Sequence, residues 1–291
     1  MSETRTNTSE DDITSDDPDR SEILHRCSLY SLFLVVVHVG SIFKPKQREA
    51  VRQIGFAKML QFQVDSIPEN LGLYVVDKFN QENMELDLGG RKIKVDAKLI
   101  HKLLGIPNFG LELAILDQES EQKLDDKNLE APIMEWKMRY KDTITPRMIE
   151  FEIRTSKDDD SFNFKLDFIM LFLSTMVTTD CNGTCKLSIL HQLSAEVNFS
   201  EINWCKYVVD CMKKCKDEWA TEFKGTVAIL TLLYVESITC EVMRRDRRLP
   251  PITFWNGTWL KYREDFEIAK GGFGQGELVV MAEDEDLAGT T

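Results

Sequence analysis

A chain of 291 residues with 43% apolar side chains can bury one large core or two smaller ones. A net charge of −13 excludes a general phosphate binder, so any contact with nucleic acid has to come from a local basic patch. Seven cysteines, an odd number at this length, exclude a disulfide framework and point to a reducing compartment, nucleus or cytoplasm.

The acidity is concentrated at the ends. Residues 1–20 carry seven acids against Arg5 and Arg20, and residues 277–291 carry five acids and no base, which leaves the rest close to balance. Neither end has apolar periodicity, so acidic disordered termini are expected, the first over 1–25. The N-terminus lacks the basic start and apolar run of a secretory signal. The sequons starting at Asn7, Asn182, Asn198 and Asn256 are therefore expected to stay unmodified.

Residues 29–43, LYSLFLVVVHVGSIF, are the most hydrophobic stretch. A membrane span needs roughly 20 apolar residues, and His38 and Gly40 break this shorter run. A buried strand or helix is the expectation, with no membrane partner, and a membrane anchor is the alternative. Helical spacing follows over 47–62, with Gly55 as a break, and a second short helix over 71–79. MELDLGGRKIKV (84–95) alternates apolar and charged residues around Gly89-Gly90, a hairpin signal. Asp96 is placed to cap a helix over 97–104 that Gly105 ends. Residues 26–111 thus read as an α+β subdomain.

Residues 112–160 are charged, weakly periodic and punctuated by Pro132 and Pro146; they read as a connector with one or two exposed helices. Residues 161–270 read as a helical core subdomain built on 202–238. There Trp204, Val208, Cys211, Cys215 and Trp219 fall on one helical face, Gly225 interrupts, and 227–235 is apolar enough to be buried on all sides. A helix is then expected to end in RRDRR, before Pro250-Pro251. Residues 271–291 read as a flexible glycine turn leading into the acidic tail.

Four constellations invite chemistry. Cys181, Cys185, His191, Cys205, Cys211 and Cys215 contain zinc-ligand types, but no Cys-x-x-Cys knuckle occurs, and cysteines on an apolar stripe behave as small hydrophobes. Gly271-Gly272-Phe273-Gly274-Gln275-Gly276 has the wrong glycine spacing for a kinase loop. His25, His38, His101 and His191 carry no local signature for pairing with a nucleophilic cysteine. Arg244, Arg245, Arg247 and Arg248 either complement a helix C-terminus or form a nucleic-acid or nuclear-import patch. No catalytic residue, cofactor or metal ligand is assigned from these patterns.

The order of RQIGFAKML, LDLGGRKIKVDAKLIHKLLGIPNFG, INWCKYVVDCM, FKGTVAILTLLYVES and GGFGQGEL resembles the plant mobile domain, also called the aminotransferase-like plant mobile domain. That family occurs in plant transposon-derived proteins, often ahead of a ubiquitin-like-protein-specific cysteine protease domain. The resemblance runs from about Gln47 to Leu278. It implies a mainly helical, non-catalytic module of nuclear association and carries over no functional residue; no pyridoxal lysine can be pointed to. The expectation is a mainly α protein with a small β-hairpin in its N-terminal half and disordered acidic termini, binding an unknown protein partner or nucleic acid. The alternatives are the N-terminal region of a cysteine protease-type transposon protein without its catalytic domain, and a protein anchored by 29–43.

Overall fold

The computed structural model describes residues 42–140, 143–178, 183–216, 223–243 and 251–279. The acidic tails, most of the apolar run 29–43, Cys181, Trp219 and Arg244, Arg245, Arg247 and Arg248 lie outside the described residues. The fold is mainly α with one small antiparallel sheet in the N-terminal half, as expected.

The chain enters through Phe43, buried edge-on against Phe164 at 5.7 Å. Helix α1 (Pro45–Gln53) starts with proline, whose missing N–H costs nothing at that position. It stops before Gly55, and a 3-10 turn (Ala57–Gln61) follows. Helix α2 (Glu69–Lys78) runs into strand β1 (Phe79–Asn80), which pairs with β2 (Glu85–Asp87), and β2 pairs with β3 (Lys92–Lys94). The β2–β3 turn is the expected two-residue one: Gly89 and Gly90 both have positive φ, and Leu88 N donates to Arg91 O at 2.9 Å. Asp96 accepts from Leu99 N at 2.8 Å and caps α3 (Ala97–Leu104), which closes at left-handed Gly105.

The segment expected to be a connector with one or two exposed helices instead holds three helices, the second and third of which bury a face. They are α4 (Gln118–Gln122), α5 (Ala131–Met138) and α6 (Pro146–Thr155). Ile133, Trp136, Tyr140, Ile149 and Ile153 are all buried. Their apolar residues are spread thinly among charges, and a helix can bury such a narrow stripe without strong periodicity in the sequence. Helix α7 (Phe162–Phe172) runs on into a π-helical turn (Leu173–Val177). A 3-10 turn (Ser188–Gln192) follows.

Helix α8 (Trp204–Met212) buries Trp204, Val208 and Cys211 and turns Lys206 and Asp210 outward. In α9 (Val227–Ser237) every residue is buried, so no face is left for water. Each fully buried aliphatic side chain there contributes about 1.5–3 kcal/mol. Helix α2 packs on α9, α3 on α8, and α6 on α7. One continuous buried cluster extends from Phe43 to Leu260.

Helix α9 ends at Ser237 because Ile238 is extended, so the helix expected to end in RRDRR stops short of that cluster. The aromatic and charged stretch that follows forms α10 (Gly257–Ala269), capped by Asn256 on Trp259 N at 2.9 Å. Its buried residues include Arg263, Glu264 and Glu267, which explains why apolar spacing gave no sign of it. No helix among the described residues is long and apolar enough to cross a membrane.

Candidate anion-binding groove

Among the described cysteines, Cys185, Cys205, Cys211 and Cys215 are all buried. Cys205 and Cys211 are buried, and burial pushes both thiols up to about 12, well away from the thiolate. The Cys205 thiol donates to Ile106 O at 3.4 Å. His101 Nδ1 lies 2.6 Å from that same carbonyl, and His191 Nε2 lies 3.5 Å from Asp126. Among the described residues no three His, Cys, Asp or Glu side chains gather into a metal-binding group.

The buried polar groups cluster around α10. Arg263 donates to Glu267 and, at 3.0 and 3.3 Å, to Ile238 O and Thr239 O. The Tyr234 hydroxyl donates to Glu267 and accepts from Gly274 N at 2.7 Å. Glu264 accepts from Leu71 N at 2.7 Å, satisfying an orphan amide in the first turn of α2 with a charge that complements that helix end. A second cluster centres on Asp167, whose Oδ1 accepts from Trp136 Nε1 and the Tyr140 hydroxyl, both at 2.6 Å, and from Arg139 at 2.8 Å.

The glycine run, expected to be a flexible turn, is held in place. Arg91, beside the hairpin tip, donates to Gly274 O and Gly276 O. The chain then pairs with the end of α9. Thr239 N donates to Glu277 O at 2.9 Å, Val279 N donates to Ser237 O at 2.7 Å, and Ile238 bridges Leu278. Gly276 is needed for this approach, since a Cβ there would sit 2.0 Å from Thr239 O.

This bridge separates two hollows of different character. On one side lies a cavity of about 760 Å³, lined by Glu236, Glu241, Glu267 and Glu277 with Arg263 and Lys270 among them. Met243, the last described residue before the arginine cluster, also lines it. On the other side lies a groove of about 260 Å³ between β3, α3 and Leu278-Val279. Lys92, Lys94, Lys98 and Lys102 line this groove, Lys92 with its ammonium on Glu85 at 2.9 Å, and the one acid among the described lining residues, Asp96, has its carboxylate on the α3 cap.

The groove also runs along the β3 edge of the sheet, where β3 is last in order among the described strands. Leu88 with Arg91, and Met84 with Val95, are the hydrogen-bonded pairs, so the main-chain groups of Lys92 and Lys94 face away from β2. Lysines on an edge strand discourage unwanted strand pairing. Lys98 and Lys102, four apart on a neighbouring helix, add charge that edge protection does not call for, at some cost from like-charge proximity.

Sequence reading overlooked this groove in favour of the arginines. The signal was present in KIKVDAKLIHK, where a strand with lysines at alternate positions leads into a helix with lysines four apart.

Fold and site together define a mainly helical protein with one described core and a lysine-lined groove at the edge of its sheet. The chain belongs to a family described as Domain of unknown function (DUF8566), whose model matches residues 25–231. No curated protein and no solved structure matches it. The matched segment contains the hairpin and α3 and ends inside α9, so α10 and the glycine run lie beyond it.

Proposed function

We propose that this chain is a non-catalytic interaction module of the transposon-derived plant type its sequence resembles, acting in the nucleus or cytoplasm. Its partner presents an anionic surface, nucleic acid or acidic protein. One observation carries the reading: lysines from two elements, Lys92 with its ammonium on Glu85 at 2.9 Å and Lys94, Lys98 and Lys102 beside it, converge on a groove whose acidic lining residue among those described is committed to a helix cap. Ammonium groups spaced along a groove attract phosphates or carboxylates with little dependence on sequence. Arg244, Arg245, Arg247 and Arg248, outside the described residues, carry the same kind of charge in the sequence. The Cys205 and Cys211 thiols, held protonated by burial, suit packing rather than nucleophilic attack.

The test is titration of the full chain with a 30-base-pair DNA duplex and with polyglutamate at several salt concentrations. Binding to either probe that weakens as salt rises, and drops at least tenfold in the Lys94→Ala/Lys98→Ala/Lys102→Ala variant, supports the reading. A second variant, with the four arginines changed to alanine, separates their share. Salt-independent affinity, or unchanged affinity in both variants, overturns the reading.

A further inference from the structure

A third hollow, of about 550 Å³, lies between the segment that follows α3 and the one that leads into α8. Phe109 and Leu111 line it while 64% and 54% exposed, and partly buried Val197 lines it with them. The backbone that carries the two exposed side chains is fixed. Leu111 N donates to Glu201 O at 2.7 Å, and Asn203 N donates to Leu111 O at 2.8 Å. Gly110 lies so close that a Cβ there would sit 1.9 Å from Glu201 O. Two large apolar side chains are thus held in water on a segment with little freedom to turn them inward. Such a patch, already ordered before any partner arrives, is the mark of a docking surface.

The rim is acidic. Glu201 lines the hollow, Glu112 follows Leu111 and is 62% exposed, and exposed Glu196 falls between the lining residues Ser194 and Val197. Glu201 accepts from the Asn198 side-chain amide at 3.0 Å, a neutral donor that leaves its charge uncancelled. Lys206 stands 4.0 Å from Glu112, with its ammonium bonded to Asp210.

We propose that this hollow docks a short segment of a partner protein in which two or three apolar side chains are flanked by Lys or Arg. The apolar side chains cover Phe109, Leu111 and Val197, and the cations meet Glu112, Glu196 and Glu201. Charge complementarity selects this occupant over two others. A second copy of the same face would set these glutamates against their own kind. Nucleic acid would bring phosphates to them. The proposal does not rest on anion binding, which uses other residues of opposite charge.

The test is selection of random displayed peptides of about twelve residues on the immobilised full chain, with the enriched peptides then titrated against the free chain. The expected enrichment is an apolar pair or triplet flanked by Lys or Arg. Its affinity should fall at least tenfold in Phe109→Ser/Leu111→Ser and in Glu112→Gln/Glu196→Gln/Glu201→Gln. The first variant changes only exposed side chains and the second keeps their size, so the circular dichroism of both should match the unmodified chain. Basic peptides that bind both variants at unchanged affinity overturn the proposal, as does the absence of such peptides. Acidic peptides alone, lost in Lys94→Ala/Lys98→Ala/Lys102→Ala, leave the lysine groove standing and remove this site. A dimer in sedimentation that Phe109→Ser/Leu111→Ser dissolves gives the face to a second copy and also overturns the proposal.

Discussion

The Tyr234 hydroxyl stands 2.7 Å from the Gly274 amide, so a residue at the centre of the most buried helix holds the glycine run directly. The same hydroxyl donates to Glu267, and burial followed by the Glu267 charge keeps the phenol protonated. Tyr234→Phe removes a donor from one buried group and an acceptor from another. The Gly274 amide keeps a longer contact to Glu267 at 3.3 Å, so the loss should be about 1–3 kcal/mol. Urea unfolding at neutral pH measures it; no change in midpoint would show that solvent replaces both bonds.

Arg91 links the hairpin to the same run. Arg91→Ala should free Gly274 O and Gly276 O while leaving the hairpin turn intact, since that turn rests on main-chain bonds. Limited trypsin digestion should then cut after Lys270 several times faster, with little change in the far-ultraviolet circular dichroism. Equal cutting rates would mean that the α9 bridge alone holds the segment.

Asp167 gives a pH dependence of unusual sign. Three donors favour its carboxylate, but burial outweighs them and pushes it up to about 6. A carboxyl raised above its unfolded value stabilises the fold below pH 4, and this contribution is lost as pH rises to 6. The stability of the unmodified chain relative to Asp167→Asn should therefore increase on acidification from pH 7 to 4. The full change is about 3 kcal/mol for a shift of about two units. A relative stability that is flat, or falls on acidification, would mean the three donors prevail.

The cysteines offer a further check. A thiol at about 12 carries roughly a thousandfold less thiolate at neutral pH than one near 9. Mapped iodoacetamide labelling of the folded chain should find Cys205 and Cys211 far slower than half-buried Cys240. Fast labelling of either buried thiol would reopen an enzymatic reading.

Local signals carried the N-terminal half well. Gly89-Gly90, the Asp96 cap and Gly105 each specify a backbone geometry through chemistry that the residue cannot avoid, so hairpin and helix were legible before any packing was known. The uniformly apolar 227–235 was legible for the same reason. Helix α10 was not, because Arg263, Glu264 and Glu267 look solvated until their partners on α9, its extended exit and α2 are brought alongside. Trp136 and Asp167 are likewise 31 residues apart, and no local pattern announces the bond between them. The groove escaped attention because its lysines sit in two elements, each of which looks ordinary alone.

The packing of α2 on α9 has a consequence for biosynthesis. The helix that covers α2 emerges from the ribosome roughly 150 residues later, on the order of ten seconds at ordinary translation rates. Through that interval Leu71, Val75 and Val76 have no native cover, and long-range closure is slow even once the full chain is available. Newly made chains should therefore depend on holding chaperones in proportion to translation time, and release in soluble form should await synthesis of α9 and the Glu264 that caps α2.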